Sequence, residues 1–239
     1  MFELRRDGPR VFRLVHPFAY RDERYDDAFV CPADTDTFTT DLNSVPAVFS
    51  WIVPTHGTHL PAILLHDALV VPHGEPPTHE GPKVSREEAD RIMRDAMGAL
   101  GVRPIRRWLA WTGASLATIV TTPHRRGWWR TAIAGHLLFL ALLGVLATID
   151  LADVASPLPW MGGRGFWIEI TAGVAVGLAI PIALAILWGP RWRVMAITGV
   201  AVALLLHVTV TMTALWVLYE LGERVVGLVS HRSDSRAEA

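Results

Sequence analysis

Residues 40–46 (Thr-Asp-Leu-Asn-Ser-Val-Pro), 64–67 (Leu-Leu-His-Asp) and 85–91 (Ser-Arg-Glu-Glu-Ala-Asp-Arg) are the stretches around which the chain is organised. The first reads as the exit of a strand into a helix start, with Ser44 as N-cap and Pro46 in the first turn. The second ends an apolar run within a helix expected over 59–70, where Pro61 is tolerated near the N-terminus. The third is a capping box, with Ser85 as N-cap and Glu88 at N3, opening a helix to about Leu100. Ile92, Met93, Ala96 and Leu100 give that helix one apolar stripe, and Gly101 closes it.

Upstream, residues 11–15 and 28–31 are short and rich in β-branched or aromatic side chains, which predicts two strands joined through a charged turn from Arg21 to Asp27. Residues 34–41 alternate weakly and fit a third strand ending at Asp41. A short helix is expected from Ala47 to Ile52, stopped by Pro54. Pro72, Gly74, Pro76, Pro77, Gly81 and Pro82 punctuate an irregular loop. A last polar-domain helix runs from Arg103 to Thr121. Its Trp108, Trp111 and Leu116 suit a globular or interfacial position better than a fourth membrane span.

Charge divides the 239-residue chain. Of its 45 Asp, Glu, Lys and Arg residues, 32 precede Thr131, although hydrophobic residues make up 51% of the whole and mean hydropathy is +0.31. Three apolar runs follow, at 132–149, 166–188 and 194–219, each long enough for a hydrocarbon core of about 30 Å at 1.5 Å per residue. The expected architecture is an α+β domain over 1–126 (a small N-terminal β-sheet plus a helical subdomain), a membrane domain of three transmembrane helices over 127–221, and a polar tail over 222–239.

Arg103, Arg106, Arg107, Arg125, Arg126 and Arg130 precede the first run, and Arg191 and Arg193 separate the second from the third. The positive-inside rule then places the N-terminal domain on the cytoplasmic side of the inner membrane, with Trp128-Trp129-Arg130 as an interfacial anchor. The lipid bilayer is the expected partner. Net charge is −1, which argues against a nucleic-acid-binding surface. The single cysteine, Cys31, excludes an intramolecular disulfide framework and a cysteine zinc cluster. No cleavable signal peptide is expected, because Met1 to Arg6 lacks a following apolar stretch.

Together with Phe29-Val30-Cys31-Pro32, the three organising stretches resemble the domain of unknown function 1353 family, found in bacteria and phages, over roughly residues 5–120. The motifs that carry the resemblance are Thr-Asp-x-x-Ser-Val-Pro at 40–46, His66-Asp67, and Arg86 through Ala89-Asp90. It implies a small α+β domain and brings no settled activity. Val70 stands where the family usually has Tyr, and residues 33–39 are longer than usual.

The residues themselves suggest chemistry. His59 and His66 are seven apart and share a helix face, with Asp67 turned about 100° from His66. Asp90 is flanked at i−4 and i+4 by Arg86 and Arg94, a pattern expected to hold it ionised. If the two helices pack antiparallel, His66, Asp67 and Asp90 meet near Asp41. A histidine oriented by a carboxylate can serve as general base on water, and Asp41, Asp67 and Asp90 could hold a divalent cation. Secreted phospholipases with a His-Asp helix share this logic in arrangement only, without their disulfides or calcium loop here. The competing reading is a non-catalytic interaction or assembly module, phage- or envelope-related, in which the His-Asp motif is structural. His73 and His79 are read as solvated loop residues and Cys31 as packing. His136 and His207, inside the apolar runs, are expected to face a bundle interior.

Overall fold

The computed structural model describes residues 3–6, 11–41, 54, 57–70, 75, 77–121 and 126–237, with side chains except at 126, 206–212, 225 and 227–237. The expected helix start at Ser44 and Pro46, the helix from Ala47 to Ile52, His73, and the side chains of His207, Thr209 and Thr211 lie outside the described residues.

Two small antiparallel sheets open the chain. Strand β1 (Leu4–Arg6) pairs with β2 (Phe12–Leu14), Arg5 opposite Arg13, and β3 (Phe18–Tyr20) pairs with β4 (Phe29–Cys31), Ala19 opposite Val30. The expected strand at 11–15 shortens to β2, and its partner is β1, not β4. The expected third strand reduces to one bridge, in which Thr40 and Phe12 exchange backbone hydrogen bonds of 2.8 and 2.9 Å. A second bridge joins Val30 to Glu80. Gly81 follows it at φ +112, where a Cβ would lie 2.6 Å from the Ala28 carbonyl oxygen, so only glycine allows the approach. The Cys31–Pro32 peptide is cis.

Three helices complete this layer: α1 (Leu60–Leu69), α2 (Arg86–Ala99) and α3 (Pro104–Thr121). The apolar stripe of α2 (Ala89, Ile92, Met93, Ala96 and Met97) recurs every three or four residues and is fully buried. It packs with Ala62, Leu65 and Ala68 of α1 and with Phe29 and Cys31 of β4 in one core. Burial pushes the Cys31 thiol up to about 12, so Cys31 is a packing residue. Ser85 Oγ accepts the Glu88 N–H at 3.2 Å, confirming the N-cap. Gly101, at φ +75, ends α2 in a Schellman motif. Its N–H bonds the Gly98 carbonyl and the N–H of buried Val102 bonds that of Met97, both at 3.0 Å. Helix α3 packs along α2 and buries Thr112, Ser115, Thr118 and Ile119.

Helix α4 (Arg126–Leu151) and α5 (Phe166–Ala185) follow, then a 3-10 segment (Ile186–Arg191) and α6 (Trp192–Ala237). Two helical stretches are long and apolar enough to cross a membrane, Gly127–Leu151 and Phe166–Leu205. The second bends at Gly189, whose φ 55 and ψ −124 are not helical, and Pro190 follows. Among the described residues there are thus two such stretches where three runs were expected. The kink splits the second, and part of the third run has no described side chains.

The chain divides into two compact units, residues 1–135 with 187–198, and residues 136–186 with 199–239. In the second unit, the loop between α4 and α5 is built on two buried acids. Asp150 accepts the N–H groups of Leu158 and Gly162 at 2.9 Å each, and Glu169 accepts that of Arg164 at 2.9 Å. Close helix contacts use glycine. A Cβ at Gly199 would meet Leu140 at 2.8 Å and Pro181 at 2.9 Å.

Candidate functional site

Helix α1 ends an apolar decapeptide on its polar edge, and that edge presents His66 and Asp67. Because Ala62, Leu65, Ala68 and Leu69 must face the core, the two residues at 66 and 67 emerge half-buried beside it. Asp90 enters from α2. It lies between the core residues Ala89 and Ile92 and is 1% exposed.

The His66 Nε2–H donates to Asp90 Oδ1 at 2.8 Å, and this bond ties α1 to α2. The histidine is 17% exposed. Its Nδ1 has no partner among the described residues and is not sealed from solvent. Asp90 Oδ2 is buried without a hydrogen-bond partner among the described residues. The two flanking arginines do not hold Asp90, contrary to the expectation from their spacing. Arg86 donates to Thr121 Oγ1 at 2.9 Å, and Arg94 pairs with Asp95 at 2.7 Å with its guanidinium over Trp108. The i±4 arginines of α2 point to α3 and to their own helix, while the buried face at Asp90 belongs to α1.

Asp67 has a different setting. Its Oδ2 accepts from Thr40 Oγ1 at 2.7 Å. Thr40 is itself fixed by its backbone bridge to Phe12, so β2 positions the Asp67 partner. Burial raises the Asp67 carboxyl above the ordinary aspartate range, and the neighbouring Asp41 charge raises it further, while the Thr40 hydrogen bond and His66 pull it down. Asp41 is exposed and acts on Asp67 through its charge. His66, Asp67 and Asp41 therefore share one electrostatic neighbourhood, and Asp90 is bound to its histidine.

Motif spacing assigns Thr40 no role; the signal that marks it is its place beside Asp41 at the end of an alternating stretch. Two further histidines, His59 and His79, meet backbone carbonyl oxygens. His59, at the N-cap of α1, is 2% exposed and faces the Pro54 carbonyl oxygen through Nε2 at 2.7 Å. His79 is buried, not solvated as expected, with Nδ1 3.2 Å from the Ala68 carbonyl oxygen and Nε2 3.1 Å from that of Pro82. It serves the unpaired C-terminal end of α1, which Thr78 Oγ1 also reaches through Ala68 O at 2.8 Å. His136 is half-buried in α4.

Among the described residues no group of three or more His, Cys, Asp or Glu side chains is placed to hold a metal ion. Asp90 Oδ1 is engaged by His66 and Asp67 Oδ2 by Thr40, so the carboxylates are committed to separate partners.

The architecture is thus an α+β domain with a buried carboxylate on one helix gripping a histidine on another, followed by long apolar helices. Residues 12–114, from β2 into α3, match the family model described as "Protein of unknown function (DUF1353)", and the N-terminal domain is similar to that family. No curated protein and no solved structure matches the chain.

Proposed function

We propose that the N-terminal domain is a hydrolase-like module held at the cytoplasmic face of the inner membrane by three apolar C-terminal spans. The observation that carries the chemistry is the 2.8 Å bond from His66 to a carboxylate that is 1% exposed. Asp90 fixes the tautomer with the proton on Nε2, which leaves the Nδ1 lone pair free to take a proton from water. The water oxygen then bonds to an electrophilic carbonyl or phosphoryl centre. Asp90 stabilises the resulting imidazolium without taking its proton. The His66 imidazolium then returns that proton to the leaving oxygen as the bond to it breaks, and Asp67, held beside it by Thr40, orients the attacking water. Membrane attachment is supported by the exposed apolar faces of the long helices, such as Leu138 at 71% and Trp167 at 76%.

One observation favours a structural reading. The His66–Asp90 bond joins the two helices that frame the core, as a cross-link in a non-catalytic assembly module would. The test uses the full chain in lipid nanodiscs against chromogenic carboxylic esters and phosphodiesters. Wild type is expected to hydrolyse one class, and His66→Gln and Asp90→Asn to lower that rate about 10²–10⁴-fold. A wild type no faster than His66→Gln on every substrate, together with a lower melting temperature for the variant, would establish the structural reading instead.

A further inference from the structure

The start of α4 meets the junction of α5 and α6 in a cluster of tryptophan and arginine that the proposed hydrolytic site does not use. Trp129 and Trp188 lie with ring centroids 5.9 Å apart, and the Arg191 guanidinium sits 4.5 Å from the Trp129 centroid. Arg193 lies 5.6 Å from the Trp192 centroid, and Arg130 is exposed beside Trp129. The non-helical turn at Gly189 is what carries Trp188 and Arg191 back onto Trp129.

Stacking engages the face of a guanidinium and leaves its in-plane N–H donors for another acceptor. Among the described residues, none of Arg130, Arg191 and Arg193 pairs with a carboxylate or donates to a protein oxygen. Sequence explains why: residues 122–149 and 186–219 contain no Asp or Glu. Three cations with no counter-charge among the described residues suit an external anion. Around them, Trp128 is 66% and Leu187 82% exposed, so the anion they suit carries an apolar body.

From this geometry we infer that the cluster is a binding site for anionic phospholipid, with the headgroup phosphate on the Arg130, Arg191 and Arg193 donors and the acyl chains along Trp128 and Leu187. The inference rests on the membrane attachment proposed above and adds a preference for one lipid charge. It concerns a lipid and not free phosphate, because inorganic phosphate makes no use of the exposed apolar residues.

The experiment reconstitutes the full chain into phosphatidylcholine vesicles and measures tryptophan quenching by brominated phosphatidylglycerol against brominated phosphatidylcholine at equal mole fraction. Wild type is expected to prefer the anionic lipid at least about fivefold, the worth of one basic residue at a membrane surface. Arg130→Gln alone should reduce that preference, the Arg130→Gln/Arg191→Gln/Arg193→Gln variant should abolish it, and millimolar inorganic phosphate should leave it unchanged. Equal quenching by both lipids in a protein that floats with the vesicles overturns the lipid site alone. A preference surviving in the triple variant overturns its assignment to these arginines, and its loss to inorganic phosphate overturns the lipid as ligand. Failure to float with any vesicle overturns the membrane attachment itself.

Discussion

Asp67 and Asp90 are carboxylates on neighbouring helices whose partners set them to opposite uses. Asp90 is spent on orienting His66, while Asp67 is held by a neutral hydroxyl next to another acid. The raised Asp67 carboxyl has a consequence for stability. The folded domain keeps a proton that the unfolded chain gives up near 3.8. That contribution is full below this value and is lost as pH rises through the folded pKa. Asp67→Asn keeps an oxygen for Thr40 and removes the charge, so it should flatten the fall in melting temperature above pH 4 and match or exceed wild type at pH 7. A variant less stable than wild type across the whole range would show that the ionised carboxylate has a stabilising partner. Asp22 runs the other way. Burial raises its carboxyl, but the Arg91 guanidinium and the Arg24 N–H outweigh burial and hold it below the ordinary 3.8. Its contribution is therefore complete above that value and is lost as pH falls through the folded pKa. Arg91 grips Asp22 with two bonds of 2.9 and 3.0 Å and also reaches Glu88 and Asp95. Arg91→Ala strands a buried carboxylate and should cost about 3–5 kcal/mol by denaturant titration. A loss below about 1 kcal/mol would place this network among weak surface pairs.

At the scale of elements, α2 shows how far local pattern reaches. Ser85 caps it, and Ser85→Ala should cost about 0.5–2 kcal/mol, read as a lower denaturation midpoint at unchanged slope. The second half of the expected box is replaced by a longer reach. The Glu88 carboxylate accepts from Arg91 at 2.9 Å and from Tyr25 at 3.3 Å, so its loss should act through the Asp22–Arg91 network and not through the helix start. The α2 helix, its cap and its Gly101 stop were legible because they depend on neighbours three to six residues away. Arg91 with Asp22, 69 residues apart, was not, since nothing local marks which acid a buried arginine will find. The same limit hid β1 and β3. Three-residue strands such as Leu4–Arg6 owe their existence to a partner across the sheet, not to alternation. At the candidate site, the placement of His66 and Asp67 on one helix and Asp90 on the next was readable from motif spacing. The arginines expected to hold Asp90 were not its partners, because i±4 spacing identifies neighbours on a helix surface and says nothing of a residue turned into the core.

If the apolar helices cross a bilayer, as proposed, the decisive quantity for the whole molecule is the number of crossings. Trp129 at the start of α4 contacts Trp188 and Arg191, so the chain has returned to its starting level by residue 191. Helix α4 has 26 residues and α5 has 20, about 39 and 30 Å at 1.5 Å per residue, each enough for one crossing. In the proposed out-and-back path the 152–165 loop would lie across the membrane; beside it Asp150 and Glu169 accept backbone N–H groups, and Arg164 is its one basic residue. The sequence has Arg125, Arg126 and Arg130 before the first apolar stretch and Arg191 and Arg193 after the second, so under the proposed path the positive-inside rule assigns that side to the cytoplasm. On that path α6 would leave from the same side, and its 46 residues exceed one crossing. Its apolar part to Tyr219 fits a third crossing, with the remainder emerging as a polar end. Reporter fusions after Gly127, Gly162 and Gly222 separate the possibilities. Cytoplasmic signal at Gly127 and external signal at both Gly162 and Gly222 is the expected result. Equal signals at Gly127 and Gly162 would refute the out-and-back pair, whereas opposite signals there with a cytoplasmic Gly222 would leave two crossings and lay α6 along the membrane.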